Sequence, residues 1–168
     1  MLTGQVWVFG DNIDTDLLAP SAYLMQSVEK IATHCLELVD PDFAKSVKQG
    51  DIFVAGENLG VGSSREQAPE VLQLLGIQVV LAKSISRIFY RNALNLGLPA
   101  LLCPEMKIIE TGHSLKIDPL EGMVENLDTQ ENMRCEPIPD HLMEMVSNGG
   151  LLAHLKKKLK SSKKGQSC

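Results

Sequence analysis

An α/β fold, with a central parallel sheet flanked by helices and a small antiparallel β section, is what this sequence predicts. Three observations carry that expectation. Residues 51–103 alternate short apolar runs with segments of helical period: Asp51–Ala55, then Val71, Leu72, Leu74 and Leu75, then Ile77–Ala82, Ile85–Leu96 and Leu98–Cys103. Strand–helix–strand–helix–strand order calls for crossover connections, and so for parallel strands. The run Ile77-Gln78-Val79-Val80-Leu81-Ala82 is apolar almost without alternation, as in strands covered on both faces. Residues 104–137 differ: short runs, Ser114–Ile117 and Met123–Val124, lie between Gly112, Pro119, Gly122 and Asn126, the pattern of an antiparallel section.

Gly4–Phe9 is apolar and aromatic and reads as the first strand. Gly10-Asp11-Asn12-Ile13-Asp14-Thr15-Asp16 follows as an acidic, turn-rich loop. Its aspartates raise calcium, but the glycine and terminal glutamate of an EF-hand loop are missing. Side-chain bonding to the local turn accounts for Asp11 and Asn12. Asp16, just before Leu17-Leu18, is more than a turn former.

Pro20–Ser27 is a loop expected to expose Leu24 and Met25. Ser27 caps a helix with Val28, Ile31, Ala32, Cys35 and Leu36 on one face. Asp40-Pro41-Asp42 ends that connection, and Phe43–Val47 forms a helical turn before Gly50. Ser84 is placed to cap Ile85–Leu96, which Gly97 closes. There Arg87, Arg91 and Asn92 read as a solvated face, or the two arginines as a pair directed at an acidic neighbour or partner. Asp140–Val146 and Leu151–Leu159 are terminal helices around Gly149-Gly150. Residues 156–168, with six lysines, are expected to form a solvated, fraying tail. A single domain spans 1–168, without repeat or linker.

With 168 residues, the chain can bury one proper core. A net charge of -5 argues against general affinity for nucleic acid. Gln5–Phe9 is too short for a secretory leader and runs into acidic residues, so a cytoplasmic protein is expected. No apolar run approaches the roughly 20 residues that span a bilayer, and Cys168 forms no lipidation box; no membrane contact is expected. Cys35, Cys103, Cys135 and Cys168 contain no C-x-x-C pair, and His34, His113, His141 and His154 are equally scattered. Reduced thiols and no metal site within this chain are the expectation.

Between the second strand and its helix lies Gly56-Glu57-Asn58-Leu59-Gly60-Val61-Gly62-Ser63-Ser64-Arg65-Glu66-Gln67-Ala68. Its glycines allow a sharp turn and close approach to a ligand. Ser63 and Ser64 are expected where the helix opens, where free N–H groups and the helix dipole favour an anion. A plain glycine-rich connection with a serine cap is the ordinary alternative. Arg65, a planar fork of donors, turns the reading toward an anion site. The dinucleotide fingerprint would need glycine at position 65, and a Walker loop would need lysine at position 63. A complete hydrolase with Ser63 as nucleophile lacks a positioned base and the Gly-x-Ser-x-Gly elbow.

On three blocks, Gly10–Asp16, Gly56–Glu66 and Ala82–Ala93, the chain resembles the small subunit of the aconitase-superfamily hydro-lyases, the group that includes 3-isopropylmalate dehydratase. The resemblance covers residues 3–155. It implies a swivelling β/β/α domain that docks on a larger catalytic subunit carrying a [4Fe-4S] cluster, with no cofactor bound by this chain. Ser63 matches the family's catalytic serine, whose alkoxide takes a proton from the carbon beside a carboxylate. Ser64 and Arg65 match substrate-carboxylate positions, and Asp16 an acidic position near the active site. Val61 stands where cysteine is common, Gln67 where histidine is, and Leu59 replaces an aromatic.

The family's specificity loop corresponds to Tyr23-Leu24-Met25. Members that accept a third carboxylate carry arginine at the position of Met25; burying a carboxylate against methionine is costly. The resemblance therefore ranks the small dicarboxylate 3-isopropylmalate first, interconverted with 2-isopropylmalate through the alkene in leucine biosynthesis. Citraconate/methylmalate and 2,3-dimethylmalate follow. A stand-alone anion-binding regulatory module is the alternative from another class.

Overall fold

The computed structural model describes residues 1–164, with side chains described through residue 160. Among these residues seven strands form one sheet: β1 (Leu2–Val8), β2 (Ile52–Ala55), β3 (Val79–Ala82), β4 (Ala100–Leu102), β5 (Ser114–Asp118), β6 (Met123–Asn126) and β7 (Asn132–Arg134). Their order is β4-β3-β2-β1-β5-β6-β7. The parallel and antiparallel sections expected from sequence are both present, and β1 makes them continuous. Its first half pairs antiparallel with β5, Leu2 opposite Ile117 and Gln5 opposite Ser114. Its second half pairs parallel with β2, Val6 opposite Ile52 and Val8 opposite Val54.

The near-continuous apolar runs arise because both faces of β2 and β3 are covered. Phe53, Ala55, Val80 and Ala82 enter one core, with Phe9, Phe43 and Leu72. Ile52, Val54, Val79 and Leu81 enter the other, with Leu94, Leu101 and Ile117. Phe9 stacks on Phe53 at 4.9 Å, and the edge of Phe43 meets Phe9 at 5.2 Å.

Among the described residues seven helices surround the sheet: α1 (Thr15–Leu18), α2 (Val28–Ala32), α3 (Phe43–Ser46), α4 (Gln67–Leu74), α5 (Arg87–Leu96), α6 (Asp140–Ser147) and α7 (Leu151–Lys164). A 3-10 turn, Ser21–Tyr23, follows α1. Ser27 caps α2 by accepting from the Lys30 N–H, and Gly97 closes α5 in the left-handed region, both as expected. Other boundaries differ. α2 ends at Ala32, and Leu36 takes a positive φ of 59°. The cap of α5 is Ser86, whose hydroxyl accepts from the Phe89 N–H, whereas Ser84 receives the N–H of Asn58. The helix α7 runs on through Lys164, and Lys156–Lys160 stand on it, exposed to solvent. The expectation for residues 165–168, including Cys168, lies outside the described residues.

One cysteine expectation is corrected. Cys103, after β4, and Cys135, after β7, form a disulfide with Cα atoms 4.2 Å apart. The Glu136 N–H donates to the Leu102 carbonyl at 2.7 Å, joining segments whose 32-residue separation hides their contact in the sequence. Cys35 remains a thiol in the core, and burial pushes its pKa up. Among the described residues, no helix is long and apolar enough to cross a membrane.

Candidate active site

Parallel register aligns the carboxyl ends of β1, β2 and β3, and the loops leaving them are bonded side by side. Running along the middle loop, the first loop makes a ladder. The Gly56 N–H donates to Gly10 O at 3.1 Å, Asn12 N–H to Glu57 O at 2.7 Å, Gly60 N–H to Ile13 O at 2.7 Å and Thr15 N–H to Val61 O at 2.9 Å. Asp11 Oδ1 accepts from the Glu57 N–H at 2.7 Å, and Asn58 Nδ2 donates to Asn12 Oδ1 at 3.0 Å. Asp11 and Asn12 thus tie two loops together, where local turn bonding was expected. The third loop closes the other side: Leu59 N–H donates to Ser84 O at 3.0 Å, and the Ser86 hydroxyl to Gly60 O at 2.6 Å. Gly60, at φ 72°, lies against Phe89 so closely that a Cβ would collide with the ring.

This framework presents Ser63. Its N–H donates to Thr15 Oγ1 at 3.1 Å, and the two hydroxyl oxygens lie 3.2 Å apart. Ser63 and Ser64 are exposed and precede the first residue of α4, Gln67, by four and three positions. They occupy a loop, where the sequence reading put them at the opening of the helix. Ser64 makes no hydrogen bond among the described residues, nor does the backbone N–H of Arg65. The backbone N–H groups of the two residues that follow Ser63 are therefore unused, as is the Ser64 hydroxyl.

Arg65 is anchored from behind. Its Nη1 donates to Asp16 Oδ1 at 2.6 Å and to the Ala19 carbonyl at 2.9 Å, and only 18% of its side chain is exposed. Guanidinium has five N–H donors, so this grip leaves Nε and Nη2 for a ligand carboxylate. The Arg65 guanidinium, and after it the Ser21 groups, hold the Asp16 carboxyl below its ordinary range. Asp16 is an ionised tether for Arg65 and the following turn, receiving the Ser21 N–H at 2.9 Å.

In the expected specificity loop, Tyr23 stacks on His34 at 3.7 Å. Leu24 packs against the first core, contrary to its expected exposure, whereas Met25 stands 99% exposed. Arg87 and Arg91 are exposed without an ion pair among the described residues, in keeping with a solvated face. A cavity of about 300 Å³ lies nearby, among Phe9, Gly10, Gly56, Lys83 and Ile108, but Ser63 and Arg65 do not line it. The serine–arginine face is open.

Sequence reasoning missed Thr15. It lies inside the acidic loop with no distinguishing spacing, and only the pairing of two loops brings it to Ser63.

The aconitase C-terminal domain family matches residues 13–105. The 3-isopropylmalate dehydratase small subunit 1 of Methanopyrus kandleri is 46% identical over 159 residues, 94% of each chain. A small subunit so named from Nautilia profundicola is 46% identical over 164 residues, 97% of this chain and 99% of the relative. The crystal structure of a 3-isopropylmalate dehydratase from Methanocaldococcus jannaschii superposes with a TM-score of 0.88 at 41% identity, covering 97% of this chain and 98% of that one. Whole-length likeness in sequence and fold leaves one assignment: the chain belongs to the aconitase C-terminal domain family, among the small subunits of its hydro-lyases.

Proposed function

We propose that this chain completes the active site of a heteromeric hydro-lyase for 3-isopropylmalate, isomerised to 2-isopropylmalate through the alkene in leucine biosynthesis. The observation that carries the reading is an exposed Ser63 followed in the chain by two unused N–H groups and by an arginine anchored through Nη1. Relatives named for that substrate along nearly the whole chain support the choice.

Ser63, as alkoxide, removes the proton from the carbon beside a substrate carboxylate. The C–H electron pair becomes the new C=C bond, the adjacent C–O bond breaks, and the departing hydroxide takes a proton from solvent. On rehydration, water adds across the alkene in the opposite sense and releases a proton to solvent; Ser63 returns its proton to carbon and is an alkoxide again. A serine needs strong stabilisation to serve as base; donors preorganised around the developing charge provide it. Ser64, the N–H groups at 64 and 65, and the free edge of Arg65 fit that task and the binding of one carboxylate. Asp16 keeps the guanidinium edge-on.

A [4Fe-4S] cluster, which we place on the large subunit, supplies Lewis-acid activation of the leaving hydroxyl. The cysteines described here do not suit such a group: two are joined to each other and Cys35 is buried as a thiol. Ser63, Ser64 and Met25 are exposed, so a second surface has room to close the site over them. Met25 supplies an apolar, adaptable side chain for the isopropyl group. The proposed setting is the cytoplasm, where burial of Cys103 and Cys135 shields their bond from reductants.

Co-expression with the large subunit, anaerobic purification and a substrate panel test the reading. The complex should show its highest kcat/KM for 3-isopropylmalate, ahead of citraconate/methylmalate and 2,3-dimethylmalate. Preference for a methyl-bearing substrate would overturn the substrate assignment, and failure to assemble would overturn the partner assignment.

A further inference from the structure

We infer that Thr15 is the positioning residue that holds Ser63 in its basic form. The inference rests on Ser63 being the base, and it concerns how a serine can be one. Thr15 Oγ1 has a single proton and two lone pairs. One lone pair takes the Ser63 N–H at 3.1 Å, and the remaining contact is the 3.2 Å approach of the two hydroxyl oxygens. While Ser63 is neutral, either oxygen can donate. Once Ser63 is an alkoxide it has no proton to give, and the contact persists only with Thr15 as donor. No other acceptor for the Thr15 hydroxyl exists among the described residues. Its proton is therefore reserved for the charged form of Ser63, and a hydrogen bond made to the charged form lowers that group's pKa.

Thr15 is built into place. It is 3% exposed, its N–H is held by the Val61 carbonyl at 2.9 Å, and its branched Cβ restricts rotation. Gly62 crosses it at φ 109°, so near that a Cβ there would lie 3.0 Å from Thr15 Oγ1. The loop bearing Ser63 therefore rests directly on this hydroxyl. In the proposed step the substrate proton ends on Ser63 while Thr15 keeps its own. As Ser63 becomes neutral, the bond between them can reverse direction without a proton leaving the pair.

Thr15→Val keeps the shape and removes the hydroxyl; Thr15→Ser restores it. Both are to be assayed in the assembled enzyme by kcat, KM and the pH profile of kcat, with thermal unfolding of each small subunit alongside. Thr15→Val should lower kcat about 10- to 100-fold, the scale of one hydrogen bond to a charged group. KM should change little, and the acidic limb of the profile should move to higher pH. Thr15→Ser should recover rate and profile. Adding Thr15→Val to Ser63→Ala should cost nothing further. A wild-type kcat and profile in Thr15→Val, with Ser63→Ala inactive, overturns the role of Thr15 alone. So does a rate loss that leaves the pH limb unmoved and is shared by Thr15→Ser, since it signals packing. Substantial turnover by Ser63→Ala overturns the base on which the inference stands.

Discussion

Asp16 and Arg65 form an ion pair in which one partner is 56% exposed and the other 18%. Pairs this open to solvent contribute little to stability, so the value of the contact lies in direction. The Asp16 carboxyl is held below the ordinary value of 3.8, by Arg65 first and Ser21 next. A depressed folded pKa means that the stabilisation is fully present above 3.8 and is lost as pH falls through the folded value. The tether is therefore intact throughout the neutral range. NMR titration of the isolated chain should place Asp16 below 3.8, and Arg65→Gln should move it upward; an unmoved midpoint would mean that another group sets it. In the assembled enzyme, Arg65→Lys should raise KM by about 10-fold or more, because a point charge cannot hold Asp16, Ala19 and a substrate carboxylate in one plane. Unchanged KM would remove Arg65 from the binding site.

At the scale of elements, α5 and the middle loop are bound through Ser86, which caps the helix and donates to Gly60 O at 2.6 Å. Ser86→Ala removes both bonds and should cost about 1–2 kcal/mol, a fall in Tm of roughly 2–8 °C for a chain of this size. An unchanged Tm would show that the loop is held elsewhere. The sequence placed this cap at Ser84, two residues early, because either serine before the helical period satisfies the same local rule. The parallel strands were legible because burial on both faces leaves a continuous apolar run. β7 was not: one buried Met133 between exposed Asn132 and Arg134 is too short to show a period. That Ser63 lies between β2 and α4 was legible, but not that it stands in the loop ahead of the helix, since glycine followed by serine before a helix also describes a cap. The roles of Thr15, Asp11 and Asn12 required knowing that two loops, more than forty residues apart, run side by side. Contacts of that range leave no mark in local pattern.

For the whole molecule, β1 fuses two strand sections into one sheet that holds the three site loops at one end, and the face they build is open. The isolated chain should accordingly show no dehydratase activity; turnover without a partner would contradict a divided site. Tyr23 and Leu24 are anchored while Met25 projects, an arrangement suited to reading a substrate across a subunit interface. Met25→Arg in the assembled enzyme should shift relative kcat/KM toward a substrate with a carboxylate in place of the isopropyl group, by about one to two decades. An equal loss for both substrates would mean that the loop only supports assembly. The central claim is that this subunit brings the base. Its most direct measurement is kcat of the assembled Ser63→Ala enzyme, with assembly and folding checked in parallel. The account predicts a fall of about 10²- to 10⁴-fold in an intact complex; near-normal kcat would contradict it.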